Sequence, residues 1–480
     1  MWTEEEIQKD ANEIQSSIQT LMRDYNEKSE RTIRSRITEN KENTTGFFKH
    51  FYEALRTAEY DMYHRSSSPI VNNDESIKGA NLTHEISEIK NSANDLPHPR
   101  ILSELQRDYD RQVGRHTDTE NENNRYIPYK VYQYIREKAE YCIRFQAKIG
   151  ARVVSLFFIT FPESHISVCS KNGSSSSSSS YLCAAEIAIY QLYAYKVFIW
   201  ISMVGQLANH ECSEKLDVYF YMTPFKKERP RPTNDDSVLS AIHVNTGVTR
   251  NCETHGEIVV YRTEEWFKVF VHESMHNFNM DFIDLDLREA NERMRKTFCI
   301  PHGDILLFET YTEAWARIIT VMFDTYFKKE PTADSRAHFI RSVREKLAKN
   351  AVFHVYQIVK VLDIMKLKYS DITSENMEVC RKRYKEDTNV YAHYILGGIL
   401  SAYALPFICW CCDNNRRRSH SGIQAIRFSQ SNDNLQHFVE LVCRAAKDPV
   451  LLNMISFIES SSSSASSARR INTTMRMTPD

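Results

Sequence analysis

Val271-His272-Glu273-Ser274-Met275-His276, set in the largely apolar run Thr263–Phe278, is the stretch on which the reading of this chain turns. Read as a helix, it puts His272 and His276 one turn apart on the same face, where two imidazoles can share one metal ion. Zinc suits such a pair, because it accepts neutral imidazoles and keeps a position open for water. Glu273 would sit beside that water and take its proton. The expectation is a zinc-dependent hydrolase, a peptidase before any other, with one zinc ion and a peptide or protein substrate.

Upstream of the motif the sequence predicts strands. Ala151–Phe161 is β-branched and aromatic, and Leu216–Met222 alternates, with Asp217 and Tyr219 opposite Val218 and Phe220. Val238–Asn245 and Glu257–Arg262 are further strand candidates, set off by the turn-like Asn245-Thr246-Gly247 and Thr254-His255-Gly256. Helical patterns cover Tyr129–Ala151 and Ala184–Leu207. Thr263 is placed to cap the motif helix, with Glu264 and Glu265 in its first turn. Downstream the pattern is all helical, at 305–328, 334–349, 351–365, 373–384, 388–412 and 434–446. The Gly-Ser run Lys171–Ser180 and the tail from Ser460–Ser467 onward read as disordered. The fold class is therefore α+β. A helical N-terminal region (1–65) and a linker-like polar region (66–128) precede a strand-rich lobe ending in the motif helix (129–282). A helical C-terminal lobe (283–458) and a tail (459–480) complete the chain.

A catalytic zinc needs a third protein ligand. Ile305–Phe323 is apolar on nearly every face and should be buried. Yet Glu309, Glu313 and Arg317 stand at i, i+4 and i+8 and form one charged stripe. Buried carboxylates are costly unless paired or bound to a cation, so either an internal ion pair with Arg317 or a zinc ion is expected there.

Tyr311-Thr312-Glu313-Ala314-Trp315-Ala316 resembles the third-ligand helix of the gluzincin metallopeptidases, in which a ligand Glu is followed by a small residue, an aromatic and Ala. With HExxH upstream, the arrangement is similar to the thermolysin-like and aminopeptidase families, over about residues 150–410, though only the two motif helices are specific. The resemblance implies a zincin-like two-lobe domain in which His272, His276 and Glu313 hold zinc and Glu273 is the general base. It also implies an oxyanion donor, a Tyr or His of the helical lobe; Tyr391, His393 and Tyr394 are the candidates, His393 and Tyr394 foremost. Asp281 and Glu309 are candidate acceptors for the second nitrogens of the ligand histidines. The chain departs from the pattern in two ways. The separation from His276 to Glu313 is long, and Val244-Asn-Thr-Gly-Val248 stands where aminopeptidases carry Gly-x-Met-Glu-Asn, which leaves aminopeptidase specificity unsupported. Asn277–Asp281 and Phe308–Ala316 are also similar to uncharacterised metallopeptidase-like proteins of large DNA viruses.

Composition narrows the alternatives. A net charge of -2 over 480 residues gives no polyanion-binding field, and the short clusters Arg381–Arg383 and Arg416–Arg418 read as surface, so no nucleic-acid partner is expected. Eleven scattered cysteines, an odd number without framework spacing, favour a reducing compartment; the Cys409–Cys412 CxxC reads as buried thiols. The start Met1-Trp-Thr-Glu-Glu-Glu6 shows no secretory signal. The uncharged run Tyr394–Cys412 contains Gly397, Gly398, Tyr403 and Pro406, and reads as a buried helix breaking near Pro406 rather than a membrane span. An intracellular location is expected, virion-associated if the viral likeness holds. His243, His255 and His302 are expected to be packing or surface residues. The competing reading is a structural or interaction protein that keeps a zincin fold without turnover.

Overall fold

The computed structural model describes residues 41–65, 82–90, 95–104, 127–162, 182–230, 238–299, 303–328, 335–373, 378–415, 422–461 and 473–479. The expectations for 1–40, 66–81, Arg111–Asn124, Lys171–Ser180, His302, Arg416–Arg418 and 462–472 lie outside these residues. In chain order the elements are α1 (Lys41–Arg65), β1 (His84–Glu88), α2 (Tyr129–Lys138), β2 (Tyr141–Ile149), β3 (Arg152–Thr160), α3 (Ala184–Val204) and β4 (Lys215–Tyr221). Then come α4 (Ala241–Val244), β5 (Gly247–Thr249), β6 (His255–Val260), α5 (Trp266–Asn277), α6 (Arg288–Arg295), α7 (Leu307–Phe327) and α8 (Ser335–Ile364). The remainder is α9 (Tyr369–Thr373), α10 (Glu378–Arg383), a π-helix (Tyr391–Leu396), α11 (Gly397–Ala402), α12 (Ala404–Asn414), a 3-10 turn (Gly422–Ile426), α13 (Asn432–Ala446) and α14 (Pro449–Ser461). The fold is mixed α+β with one mixed sheet, divided into two compact units.

The strand-bearing unit includes residues 53–226 and 246–279. Its sheet runs β1-β2-β3-β4-β6-β5, with β3, β4 and β6 parallel and the other pairs antiparallel. Alternation sorts its residues onto two faces. On one face Phe158 stacks on Phe220 at 4.7 Å, and Trp266 of α5 meets Phe220 edge-on at 5.4 Å. Tyr190 of α3 packs on the same Phe158 ring. The other face mixes aromatics with charge: Phe157 stacks on Tyr219, His255 meets Asp217 at 2.7 Å, and Arg100 meets Glu257. By length and composition α3 could cross a membrane, yet its second half, including Phe198, Ile199, Trp200 and Ile201, is buried inside this unit.

Three sequence expectations fail in this unit or beside it. Helix α2 stops at Lys138, because Tyr141–Ile149 forms β2 and turns into β3 through Gly150, whose φ of 61° needs no side chain. The stretch Val238–Asn245 is not a strand: Ser240 and His243 form a capping box around the short α4. The linker-like polar region 66–128 contains a strand, β1, whose five residues are all exposed.

The helical unit includes residues 227–245 and 280–479, with 41–52 of α1. Helix α7 is its core. Trp315 packs against Phe47 at 5.4 Å, and Tyr311 sits among Phe282, Phe407, Phe428 and Phe438. The two helices expected at 334–349 and 351–365 are one continuous α8. The helix expected at 388–412 is three segments, and the break expected near Pro406 is a 90° bend at Tyr403, three residues before it. Pro406 falls in the first turn of α12, where its missing N–H has no partner to lose. The expected tail also departs from disorder at its end, where Met475 and Met477 are buried.

Cys212 and Cys252 form a disulfide, against the expectation of free thiols, and Cys183 is disulfide-bonded as well. Register explains the first bridge. Lys215 of β4 lies beside His255 of β6, and each cysteine stands three residues upstream of its register partner. Parallel neighbours put those two entrances side by side, which sequence spacing alone does not reveal. Replacing both cysteines with serine is expected to lower stability by about 2–4 kcal/mol, since the bridge closes a chain separation of 40 residues. Urea unfolding checks this, and an unchanged midpoint would show that the bridge adds nothing.

Candidate metal centre

Helix α5 is buried from Phe267 to Asn277. It begins after Glu265, which adopts a left-handed φ of 58°, and Trp266 donates its backbone N–H to the carbonyl of Thr263 at 3.3 Å. The expected side-chain cap is not made. Tertiary anchors hold the helix instead. Trp200 Nε1 donates to Ser274 Oγ at 2.7 Å, and that hydroxyl donates to the carbonyl of Val271. Ser213 Oγ donates to Asn277 Oδ1, Asn277 Nδ2 donates to Thr249 Oγ1 at 3.1 Å, and the N–H of Cys252 donates to the carbonyl of Asn277. The disulfide-bonded turn after β5 is thus tied to the end of the motif helix.

His272 and His276 are both buried, and their Nε2 atoms are 3.1 Å apart. Two nitrogens each 2.0–2.1 Å from one tetrahedral ion stand about 3.3 Å apart. The pair therefore has the spacing of a two-histidine site, and as it stands the two rings are also within hydrogen-bond distance of each other. Glu273 lies between them in sequence, and β5 closes on it. A Cβ on Gly247 would stand 2.9 Å from both Cγ and Oε1 of Glu273 and 2.6 Å from Val269 Cγ1. Only glycine leaves this carboxylate its place. The sequence marks Gly247 as a turn residue; its packing against Glu273 is visible only once the strand is placed.

In the helical unit the charged stripe of α7 resolves into two distinct pairs. Glu313 Oε1 accepts from Arg317 Nε at 2.7 Å, with both side chains almost fully buried (1 % and 4 % exposed). Arg317 also donates to the carbonyl of His393 at 2.7 Å and to Ser401 Oγ, and meets His354 Nδ1. Glu309 Oε2 instead meets His393 Nε2 at 3.2 Å. The internal ion pair expected as one possibility from the sequence thus involves Glu313.

The three oxyanion-donor candidates on the π-helix serve different partners. His393 meets Glu309, the Tyr394 hydroxyl donates to the carbonyl of Met475, and the Tyr391 ring packs edge-on against Phe298 and Tyr384. The Asp281 carboxylate accepts from the N–H of Ile283.

The π-helix begins on a half-buried acid. Glu386 Oε2 accepts from the backbone N–H of Tyr391 at 2.7 Å and from the Tyr384 hydroxyl at 2.8 Å. Burial pushes its carboxyl up from an ordinary 4.5 to about 7, against the downward pull of these hydrogen bonds. The folded chain therefore holds a proton at this site that the unfolded chain has released between about pH 4.5 and pH 7. The stabilisation is complete below that window and is lost as pH rises through it, by up to about 3 kcal/mol. Thermal unfolding of wild type and Glu386→Gln should diverge in favour of the variant between pH 5 and pH 8. A difference independent of pH would refute the assignment.

No family model, curated protein or solved structure matches the chain, so the reading of the site rests on its own geometry.

Proposed function

We propose that the chain is a zinc-dependent peptidase in which His272, His276 and a carboxylate of α7 hold one metal ion and Glu273 is the general base. The observation that carries this reading is the pair of buried imidazoles with their Nε2 atoms 3.1 Å apart, on a helix that also presents Glu273. The strand-bearing and helical units would be the two lobes of a zincin.

Glu309 is the carboxylate we assign as third donor. Glu313, the one singled out by the motif resemblance, is committed to Arg317 in a buried pair, and withdrawing it would leave a guanidinium uncompensated. Glu309 stands one turn earlier, near the start of α7, with its carboxylate partly exposed (16 %) at His393. Bound there, the ion would supply a Lewis acid and a water of lowered pKa. The chain's own residues do the rest. Glu273 takes the proton as water adds to the scissile carbonyl and delivers it to the departing amine. His393, held by Glu309 through Nε2 and by Arg317 through its carbonyl, is our candidate donor to the developing oxyanion.

Purified chain should contain about one zinc ion, and Glu273→Gln should retain it while peptide cleavage is lost. Wild type without zinc, or cleavage that persists in Glu273→Gln, would sink the proposal; zinc with no cleavage of any peptide library would favour a non-catalytic zincin. Glu309→Ala should lose the metal and Glu313→Gln should keep it, and the reverse result would transfer the ligand role to Glu313. Gly247→Ala should keep zinc but lower kcat on the order of 10–100-fold, because the added methyl displaces the Glu273 carboxylate. Metal analysis and steady-state kinetics on one preparation check all of these.

A further inference from the structure

The end of the chain is bound as a peptide would be. Residues 473–479 lie in the helical unit beside 227–229, and Thr474 forms an antiparallel β-bridge with Glu228. Arg229 donates its N–H to the carbonyl of Thr473 at 2.6 Å, and the N–H of Met475 donates to the carbonyl of Lys227 at 2.9 Å. Side chains from two helices then take the next three carbonyls in succession. Lys360 Nζ donates to that of Thr474, the Tyr394 hydroxyl to that of Met475, and Gln357 Nε2 to that of Arg476 at 2.6 Å. Met475 and Met477, two residues apart, are buried, while Arg476 between them is half-buried.

This pattern is the one by which proteins recognise extended peptides: main-chain hydrogen bonds supply affinity, and pockets for alternate side chains supply selectivity. It also differs from ordinary core packing. The receiving side presents donors to consecutive backbone carbonyls, and Lys360 is fully buried to do so. Burial, together with the nearby Arg229 charge, holds its amine well below the usual lysine range. A buried lysine and a buried tyrosine hydroxyl aimed at backbone carbonyls are a costly way to fasten a segment that two methionines could hold by packing alone.

We propose that the groove formed by 227–229, Gln357, Lys360 and Tyr394 is a peptide-binding site, selective for an extended segment with unbranched apolar side chains at alternate positions. The C-terminal segment Thr473–Thr478 is its tethered ligand. Tyr394, which takes the carbonyl of Met475, belongs to the π-helix. The assignment goes beyond the metal-centre reading and stands whether or not that centre turns over.

The probe is the labelled peptide Thr-Thr-Met-Arg-Met-Thr-Pro-Asp, tracked by fluorescence anisotropy. The full chain should not take it up, because its own segment fills the groove. A full chain carrying Met475→Asp should bind it saturably, and adding Gln357→Ala or Tyr394→Phe should weaken that binding about tenfold. A peptide with both methionines replaced by serine should not bind. A Met475→Asp chain that keeps its circular dichroism and melting transition but binds no peptide would overturn the proposal, as would equal binding of the serine peptide. If Met475→Asp fails to fold, a protease site placed within 462–472 allows the tether to be cut after folding. The freed segment should then exchange with labelled peptide; a cut chain that never exchanges shows a structural staple and overturns the proposal equally.

Discussion

Arg317 and Glu313 form an ion pair inside a helix that has almost no contact with water, and the helical unit is organised around that pair. Desolvating two charges costs several kcal/mol each, which mutual attraction offsets only if every remaining donor is also satisfied. Arg317 satisfies its donors by reaching outward, to the carbonyl of His393, to Ser401 of α11 and to His354 of α8. Each of those bonds fixes a neighbouring element at a set distance from α7. The arginine consequently does more than neutralise a carboxylate. It sets where the π-helix stands and, through the peptide carbonyl of His393, where that imidazole sits.

The strand-bearing unit solves its own version of the problem without charge. Helix α5 carries a run of polar side chains into the interior, and most of the fastening is done by neutral groups: an indole on Ser274, and an amide at Asn277 shared between Ser213 and Thr249. These anchors fall on Ser274 and Asn277. A helix held this way has a fixed backbone, and its remaining side chains are presented from set positions.

Much of this is legible in the sequence, and the rest is hidden for physical reasons. HExxH reads directly because both histidines sit within one helical turn, so local geometry decides their separation. The charged stripe on α7 is equally visible, but which glutamate takes Arg317 is not. Glu313 reaches it across one turn and Glu309 would need two, a distinction that the likeness of Glu313 to a ligand position overrides in the sequence. Tyr141–Ile149 reads as helix because Tyr129–Lys138 begins with helical spacing, while the alternation that marks β2 starts only three residues later. The Cys212–Cys252 bridge depends on strand register, which no single sequence displays. The two methionines near the C-terminus are masked by the serine-rich composition around them.

The π-helix at Tyr391–Leu396 makes chain length itself a determinant of where His393 points. Such a segment is wider than an α-helix by one residue per turn and arises when a single residue is inserted into an α-helix. Removing one residue between Tyr391 and Leu396 would restore ordinary winding without altering any other letter of the chain. Six residues wound this way turn about as far as five in an α-helix, so the flanks would keep their register while the side chains within the turn, His393 among them, would be redistributed around the axis. The bond to Glu386 at one end and the packing of Gly398 against Ile358 at the other mark those flanks. The direction in which His393 faces is thus encoded in a residue count, and a change of length at this point redirects that imidazole more severely than most changes of identity.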